Sequence, residues 1–169
     1  MPQPSKLLYL YLGRRGAMPR FALDLARAGT SDAVVAIAED NELAAAFDEL
    51  PNRVVKLRTF SNGAGAVLNL GRISRLRREL ASVIADSRTD VVVELMPHVW
   101  SPFLEDVPRR AGVARMAILH DWRAHPGDAS GLVNAWLTRS VMRADRVLTL
   151  SRSVAQDVER SDASAKGRV

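Results

Sequence analysis

Six short apolar runs punctuate the chain, at residues 7–12, 33–38, 54–60, 91–96, 116–119 and 147–150, and amphipathic stretches separate them. The first includes two tyrosines and stops at Gly13. Runs this short, without polar alternation, suit strands covered on both faces, as in a parallel sheet, better than strands with one wet side. Between the runs the period changes. Phe21, Leu25 and Ala28 share one helical face, with Gly29 as a stop. Asp40 or Asn41 can cap a second helix that ends before Pro51. The longest helix is predicted over residues 66–85, where Ile73, Leu76, Leu80, Val83 and Ile84 make an apolar stripe. Residues 131–143 read as another helix with Ser130 as its cap, and Ser153 with Gln156 has the spacing of a capping box for the last one.

Strand–helix alternation with right-handed crossovers predicts an α/β domain: a Rossmann-like, doubly wound, mainly parallel sheet of about six or seven strands with helices on both faces. The domain is expected over residues 1–160. Residues 161–169 are small and polar and are expected to form a flexible tail or linker. No internal repeat or low-complexity tract interrupts this pattern.

Composition narrows the class. The 169 residues fit one compact domain, and 47% apolar with 25% charged residues is globular composition, which argues against disorder. The absence of cysteine excludes disulfides and thiolate metal sites and fits a reducing compartment. No apolar run approaches the roughly 18 residues that a membrane span needs, and no secretion signal is recognisable at the N-terminus. A cytoplasmic protein is therefore expected, peripheral at most on the inner face of the plasma membrane.

The net charge is +5 and almost all of the basic residues are arginine; Lys6, Lys56 and Lys166 are the only lysines. Arginine's planar fork suits phosphate and carboxylate, although a coding bias toward arginine is an equal reading. The surplus points to an anionic partner such as a nucleotide or a phospholipid surface. Nucleic acid is not expected, because the aromatic interleaving of a stacking platform is missing.

In open α/β sheets ligands bind beyond the carboxyl ends of the strands, so residues just past each run are the candidates. Gly13, Arg14, Arg15 and Gly16 follow the first run and lead into a helix, where glycine admits close approach and a helix start favours an anion. The G-x-G-x-x-G spacing is absent, so this is not a dinucleotide fingerprint, and a plain turn is an equal reading. All three histidines also follow runs: His98 after the fourth, His120 and His125 after the fifth. His120 beside Asp121 sets a titratable ring next to a carboxylate, suited to hydrogen bonding or proton transfer. The three histidines do not form a metal signature, and neither a metal nor a cofactor is expected. Glu94 lies inside an apolar run, where an ionised carboxylate is costly unless paired. It either faces the cleft or pairs with an arginine. On the long helix, Arg75 and Arg78 lie opposite the stripe with Arg72 and Arg77 on its flanks, a solvated face or a contact for an anionic bilayer. Neither a nucleophile elbow nor a Walker motif is present.

His120-Asp121-Trp122-Arg123-Ala124-His125-Pro126-Gly127-Asp128, then a helix, then Ala144-Asp145-Arg146-Val147-Leu148-Thr149-Leu150-Ser151, resembles the GT4-like bacterial glycosyltransferases. Residues 16–28 (GAMPRFALDLARA) resemble their glycine loop and first helix, without the usual adjacent glycine pair. The resemblance implies the GT-B fold, two Rossmann-like domains facing across a cleft, with this chain as the N-terminal, acceptor-side domain. A donor-binding domain, fused or separate, is then an implied partner. The implied reaction is retaining transfer from a nucleotide sugar to a glycan or lipid-linked acceptor. By the same likeness His120 contacts the transferred sugar and Gly13 to Gly16 face the donor phosphates. Asp121 beside His120, and Glu94, His98, Arg123 and His125 at or past the ends of the runs, are further site candidates by position. The competing expectation is a non-catalytic Rossmann-like module that docks a partner protein or an anionic membrane.

Overall fold

The computed structural model describes residues 5–60, 65, 69–120, 122, 131–162 and 165–169. Among these, six strands form one all-parallel sheet: β1 (Leu7–Tyr11), β2 (Val34–Ala38), β3 (Arg53–Leu57), β4 (Val91–Glu94), β5 (Ala114–Leu119) and β6 (Arg146–Thr149). Their order is β3-β2-β1-β4-β5-β6, the doubly wound arrangement. Each apolar run of the sequence became a strand; the inner strands are covered on both faces, whereas β3 and β6 at the edges are only partly buried. In β2 all five residues are buried.

The helices are α1 (Met18–Ala28), α2 (Ala44–Asp48), α3 (Ile73–Ser87), α4 (Asp106–Arg110), α5 (Gly131–Val141) and α6 (Arg152–Ser161). On one sheet face α1 and α2 bury Ala22, Leu23, Ala26 and Phe47 against Tyr9, Tyr11, Val35, Ile37 and Val93. The buried face of α1 is therefore not the expected Phe21–Leu25–Ala28 face. Small Ala22 and Ala26 let the helix lie close to the sheet, while the larger Phe21 and Leu25 pack at its flank.

On the other face α3 buries the whole predicted stripe, Ile73, Leu76, Leu80, Val83 and Ile84, over Leu8, Leu10, Val34 and Leu57. Each such side chain contributes about 1.5–3 kcal/mol relative to exposure. The α-helix begins at Ile73, after a 3-10 turn at Leu70–Arg72. Beyond it a second 3-10 turn (Ser101–Phe103) and α4 continue that layer, followed by α5 and α6 over Ala117, Leu119 and Val147. The last helix is capped by Ser151, whose hydroxyl accepts from the Val154 amide at 3.2 Å, not by the Ser153–Gln156 box. The Ser130 cap lies outside the described residues.

Two further expectations are corrected. The C-terminal segment is docked where residues 165–169 are described: Ala165 is fully buried among Val141, Val147 and Val158, and the Arg168 carbonyl accepts from the Val147 amide at 2.8 Å. Its small residues, which read as linker, are what fit there. Arg77 is also not a free surface charge. Its guanidinium makes paired hydrogen bonds to Asp106 at 2.6 and 2.9 Å and also donates to the Phe103 carbonyl, so it clamps α4 and the second 3-10 turn to α3.

That hydrogen bond from Arg77 holds the Asp106 carboxyl at about 2, well below its usual 3.8. A depressed carboxyl contributes stability above its unfolded pKa and loses it as pH falls through the folded one. Asp106→Asn should therefore cost about 1–2 kcal/mol at neutral pH. The gap from the parent should close between pH 3.8 and about 2. Urea unfolding of both proteins across that range measures it, and a pH-independent gap would mean that the pair contributes by shape alone.

Candidate functional site

Parallel β1 and β4 are neighbours, but the chain leaves β1 toward β2 and β4 toward β5. A crevice opens beyond the carboxyl ends of such a pair. The loops that border it here are short, and side chains tie them to one another.

The loop after β1 needs both of its glycines. A Cβ at residue 13 would stand 2.4 Å from the Tyr11 hydroxyl oxygen, and Gly16 has φ of +98°. Tyr11 is buried, and its phenol is pushed up, first by burial and then by Glu42. The residues after β2 grip this loop. Asn41 Nδ2 donates to the Gly13 carbonyl at 2.9 Å while its Oδ1 accepts from the Leu43 amide at 2.9 Å. The Glu42 amide donates to the Arg14 carbonyl at 2.9 Å, and Glu42 Oε1 accepts from the Gly16 amide at 3.0 Å. A phosphate could take the Gly16 amide only in place of that carboxylate.

Arg14 is turned over the rim by an ion pair with Asp40 at 2.8 Å and lies 5.5 Å from the centre of the Phe60 ring. His98 stacks on the same ring at 5.1 Å, and Trp100 meets Phe60 edge-on at 4.9 Å. His98 Nδ1 accepts from the Trp100 amide at 3.2 Å, so the neutral ring carries its proton on Nε2. Burial, and then the Arg14 charge, push the imidazole down to about 4, against the opposing pull of Asp40. His98 is thus a neutral ring at physiological pH.

Beneath this layer sits Glu94, 4% exposed, paired with Arg115, 5% exposed. Glu94 Oε2 accepts from Arg115 Nη2 at 2.5 Å, and Oε1 accepts from the Ser101 hydroxyl. Ser101 Oγ in turn accepts from the His98 amide at 2.8 Å, and Arg115 Nη1 reaches the Ser140 carbonyl at 3.0 Å. Of the two readings of Glu94, the arginine-paired one holds. Both carboxylate oxygens are engaged inside the protein, which corrects its assignment as a ligand contact and makes it a support for the His98 turn.

Gly13, Arg14, Arg15, Gly16, His98 and His120 therefore stand at the carboxyl ends of adjacent β1, β4 and β5, with Arg15 and His120 exposed. Arg14 and His98 among them are brought together, through Phe60. Asp121, Arg123 and His125 lie outside the described residues. Among the described residues no cluster of three His, Asp or Glu side chains could hold a metal ion. A cavity of about 540 Å³, lined by Arg115, Arg143, Asp145 and Arg168, lies off this rim, by the start of β5. Phe60, Trp100, Asp40 and Ser101 were missed in the sequence, although each follows a strand within a few residues and position alone could have flagged them.

A family model for a glycosyl transferase 4-like domain matches residues 16–169. The chain belongs to that family. Among solved structures, HepE of Anabaena in complex with UDP and glucose superposes with a TM-score of 0.71 at 16% identity, over 96% of this chain and 43% of that one. MurG of Acinetobacter baumannii gives 0.63 at 14% identity, over 89% and 42%. UDP-GlcNAc 2-epimerase of Methanocaldococcus jannaschii gives 0.61 at 15% identity, over 92% and 42%. At these identities they establish the fold, which is the Rossmann-like α/β fold of GT-B proteins, and this chain spans about two-fifths of each. No curated protein sequence matches it.

Two measurements test the geometry of this glycosyl transferase 4-like domain. Glu94→Ala leaves a buried guanidinium without its carboxylate and should cost about 3–5 kcal/mol, whereas Glu94→Leu combined with Arg115→Met should come close to neutral. Denaturant midpoints of the set decide it, and a small cost for the single change would mean that the pair is wet. In NMR titration the His98 ring should have its midpoint near 4 rather than 6.5. The unfolded chain then binds a proton that the fold refuses, so stability should fall as pH drops from 6.5 toward 4 and level off above 6.5. His98→Asn should flatten that slope.

Proposed function

We propose that this chain is the acceptor-side domain of a GT-B glycosyltransferase that moves a sugar from a nucleotide-sugar donor to a lipid-linked or polysaccharide acceptor. The observation that carries the reading is the rim itself. A glycine loop, an arginine held over an aromatic ring and a neutral histidine border the switch-point crevice of a glycosyl transferase 4-like domain. HepE, which shares the fold, has been crystallised with UDP, with UDP and glucose, and with UDP-glucose.

On this reading a donor-binding domain, fused or supplied as a separate subunit, closes over the rim and brings the nucleotide sugar to it. The acceptor hydroxyl oxygen bonds to the anomeric carbon, the nucleoside diphosphate leaves with the electron pair of the broken C–O bond, and the hydroxyl proton passes to that departing diphosphate. Negative charge grows on the leaving group, so Arg14 and Arg15 beside the glycine loop are the groups that would offset it. His98, kept neutral, can donate a hydrogen bond from Nε2 without adding charge. His120, exposed at the end of β5, contacts the transferred sugar. Phe60 and Trp100 keep water from the base of the crevice. The acceptor, if lipid-linked, places the enzyme at the cytoplasmic face of a membrane.

The experiment is a transfer assay with and without a donor-binding domain. The 169-residue chain alone should turn over no donor, because reacting groups give little rate unless both partners are held in line. In the complemented enzyme His120→Ala should lower kcat/KM by about 10²-fold or more. Its stability should change by less than about 0.5 kcal/mol, as expected for an exposed side chain. Full activity in the His120→Ala enzyme, or turnover by the chain alone, would overturn the assignment.

A further inference from the structure

Away from the crevice, a cavity of about 540 Å³ lies beside the start of β5. Ligand cavities run from about 300 to 1,000 Å³, so this one has room for a small metabolite. Arg115 is the second residue of β5 and His120 follows its last, so a six-residue strand, about 20 Å long, separates the cavity from the rim. A small ligand in one does not reach the other.

Guanidinium groups gather on its wall. Arg109 in α4, Arg143 just after α5 and Arg168 in the C-terminal segment line it, together with the carboxylates of Glu105, Asp106 and Asp145. Those carboxylates are engaged. Asp106 takes Arg77 and Arg110, which are not part of the wall. Glu105 Oε1 accepts from Arg143, and Asp145 Oδ2 accepts from the Arg115 amide at 2.8 Å. The Arg109 side chain, by contrast, makes no hydrogen bond or ion pair among the described residues, and Arg143 gives only Nη1. Helix ends do not account for the gathering. A basic residue at a helix C-terminus ordinarily serves the last carbonyls. Here the carbonyls of Val107, Pro108 and Arg109 already accept from the amides of Ala111, Val113 and Gly112. Those of Met142 and Ala144 accept from Arg168 Nη1 at 3.0 and 3.2 Å. The backbone thus fixes Arg168 in place and has no use for Arg109 or Arg143.

We infer that this cavity is a second binding site, for a small soluble phosphate monoester. Cations lining one concave wall focus their field into it, and an anion between them relieves their mutual repulsion. A phosphate monoester presents three terminal oxygens to several N–H donors at once, and the planar guanidinium fork meets them in pairs. A carboxylate has one oxygen fewer and leaves more of the donors on Arg109 and Arg143 unused. Asp145 spends only Oδ2 inside the protein, so its other oxygen is left to accept a hydroxyl from the organic part of the ester. The ligand is neither the donor nor the acceptor of the crevice, and the site stands whether or not the chain serves a transferase.

The test is a titration of the full 169-residue chain with glycerol 3-phosphate, followed by the amide signals in NMR. Binding should saturate, weaken with salt, and move the amides of residues 105–112 and 143–146. Inorganic phosphate should move the same amides with lower affinity, and glycerol or acetate should not bind. Arg109→Gln should weaken glycerol 3-phosphate binding about tenfold or more. Because that side chain has no partner to lose, its melting temperature should match the parent's. Arg143→Gln should weaken binding comparably, whereas Arg53→Gln, on the edge strand β3, should leave it unchanged. Parent-like binding by the variant carrying both Arg109→Gln and Arg143→Gln overturns the inference. So does a titration that moves only the amides of Gly13 to Gly16, since the anion would then belong to the rim, and so does equal binding of glycerol. Binding to phosphatidic acid vesicles with no response to glycerol 3-phosphate would make the ligand a membrane headgroup and overturn the soluble ester.

Discussion

Glu94 lies near the centre of the sheet, at the end of β4, almost wholly buried, and its two carboxylate oxygens find their donors inside the protein. Arg115 comes from β5, one strand away, and Ser101 from the 3-10 turn seven residues on. Arg115 is itself steadied by the Ser140 carbonyl at the end of α5, and its backbone amide donates to Asp145 at 2.8 Å. One buried charge therefore sets where β5, α5 and the turn after β4 can sit. A buried ion pair is poor evidence for stability, since an apolar pair of similar volume can do as well. What it supplies here is position. Ser101, committed to Glu94, also receives the His98 amide, and Trp100 is carried into the core between them.

The rim depends on that position. His98 can stack on Phe60 only if the turn after β4 holds its shape, and Arg14 reaches the same ring only because Asp40 and Asn41 hold the loop after β1 in place. Four strand ends thus meet around one aromatic ring. The neutrality of His98 follows from this packing: a desolvated ring with a guanidinium nearby gains nothing from a proton. A charge placed on the ring would push against Arg14, the cation best placed to meet an anionic ligand.

Legibility in the sequence followed the range of the forces involved. The strands were readable because burial on both faces writes itself as a continuous apolar run, and the stripe of α3 because its five core residues repeat at helical spacing. Errors arose where small residues decide the outcome. Ala22 and Ala26 set the buried face of α1 by allowing close approach, and Ala165 docks a tail whose composition resembles linker. The short α4 gave no periodic signal at five residues, and it is held by Arg77 from another helix. The candidate site was half legible. Position past a strand end located Gly13 to Gly16, His98 and His120, whereas the partner of Glu94 lies 21 residues away and that of Arg77 29 away. No local pattern announces such pairs. Phe60 read as the end of a strand, and only the fold turns it into the surface on which Arg14 and His98 meet.

The arginine content, which from composition alone could have been a coding habit, is in part put to use by the fold. Arg77 and Arg115 are structural, each committed to a named carboxylate, and Arg14 gives Nη1 to Asp40; each fixes one loop or element against another. A lysine could match the charge at those places but not the paired geometry that Arg77 makes with Asp106. Arg72, Arg78, Arg109 and Arg139, and with them Arg15, Arg53, Arg88, Arg146 and Arg152, have no carboxylate partner among the described residues, so the fold commits arginine only where a guanidinium meets a named carboxylate, and, the rim and the cavity by β5 apart, the remainder calls for no more than a coding habit.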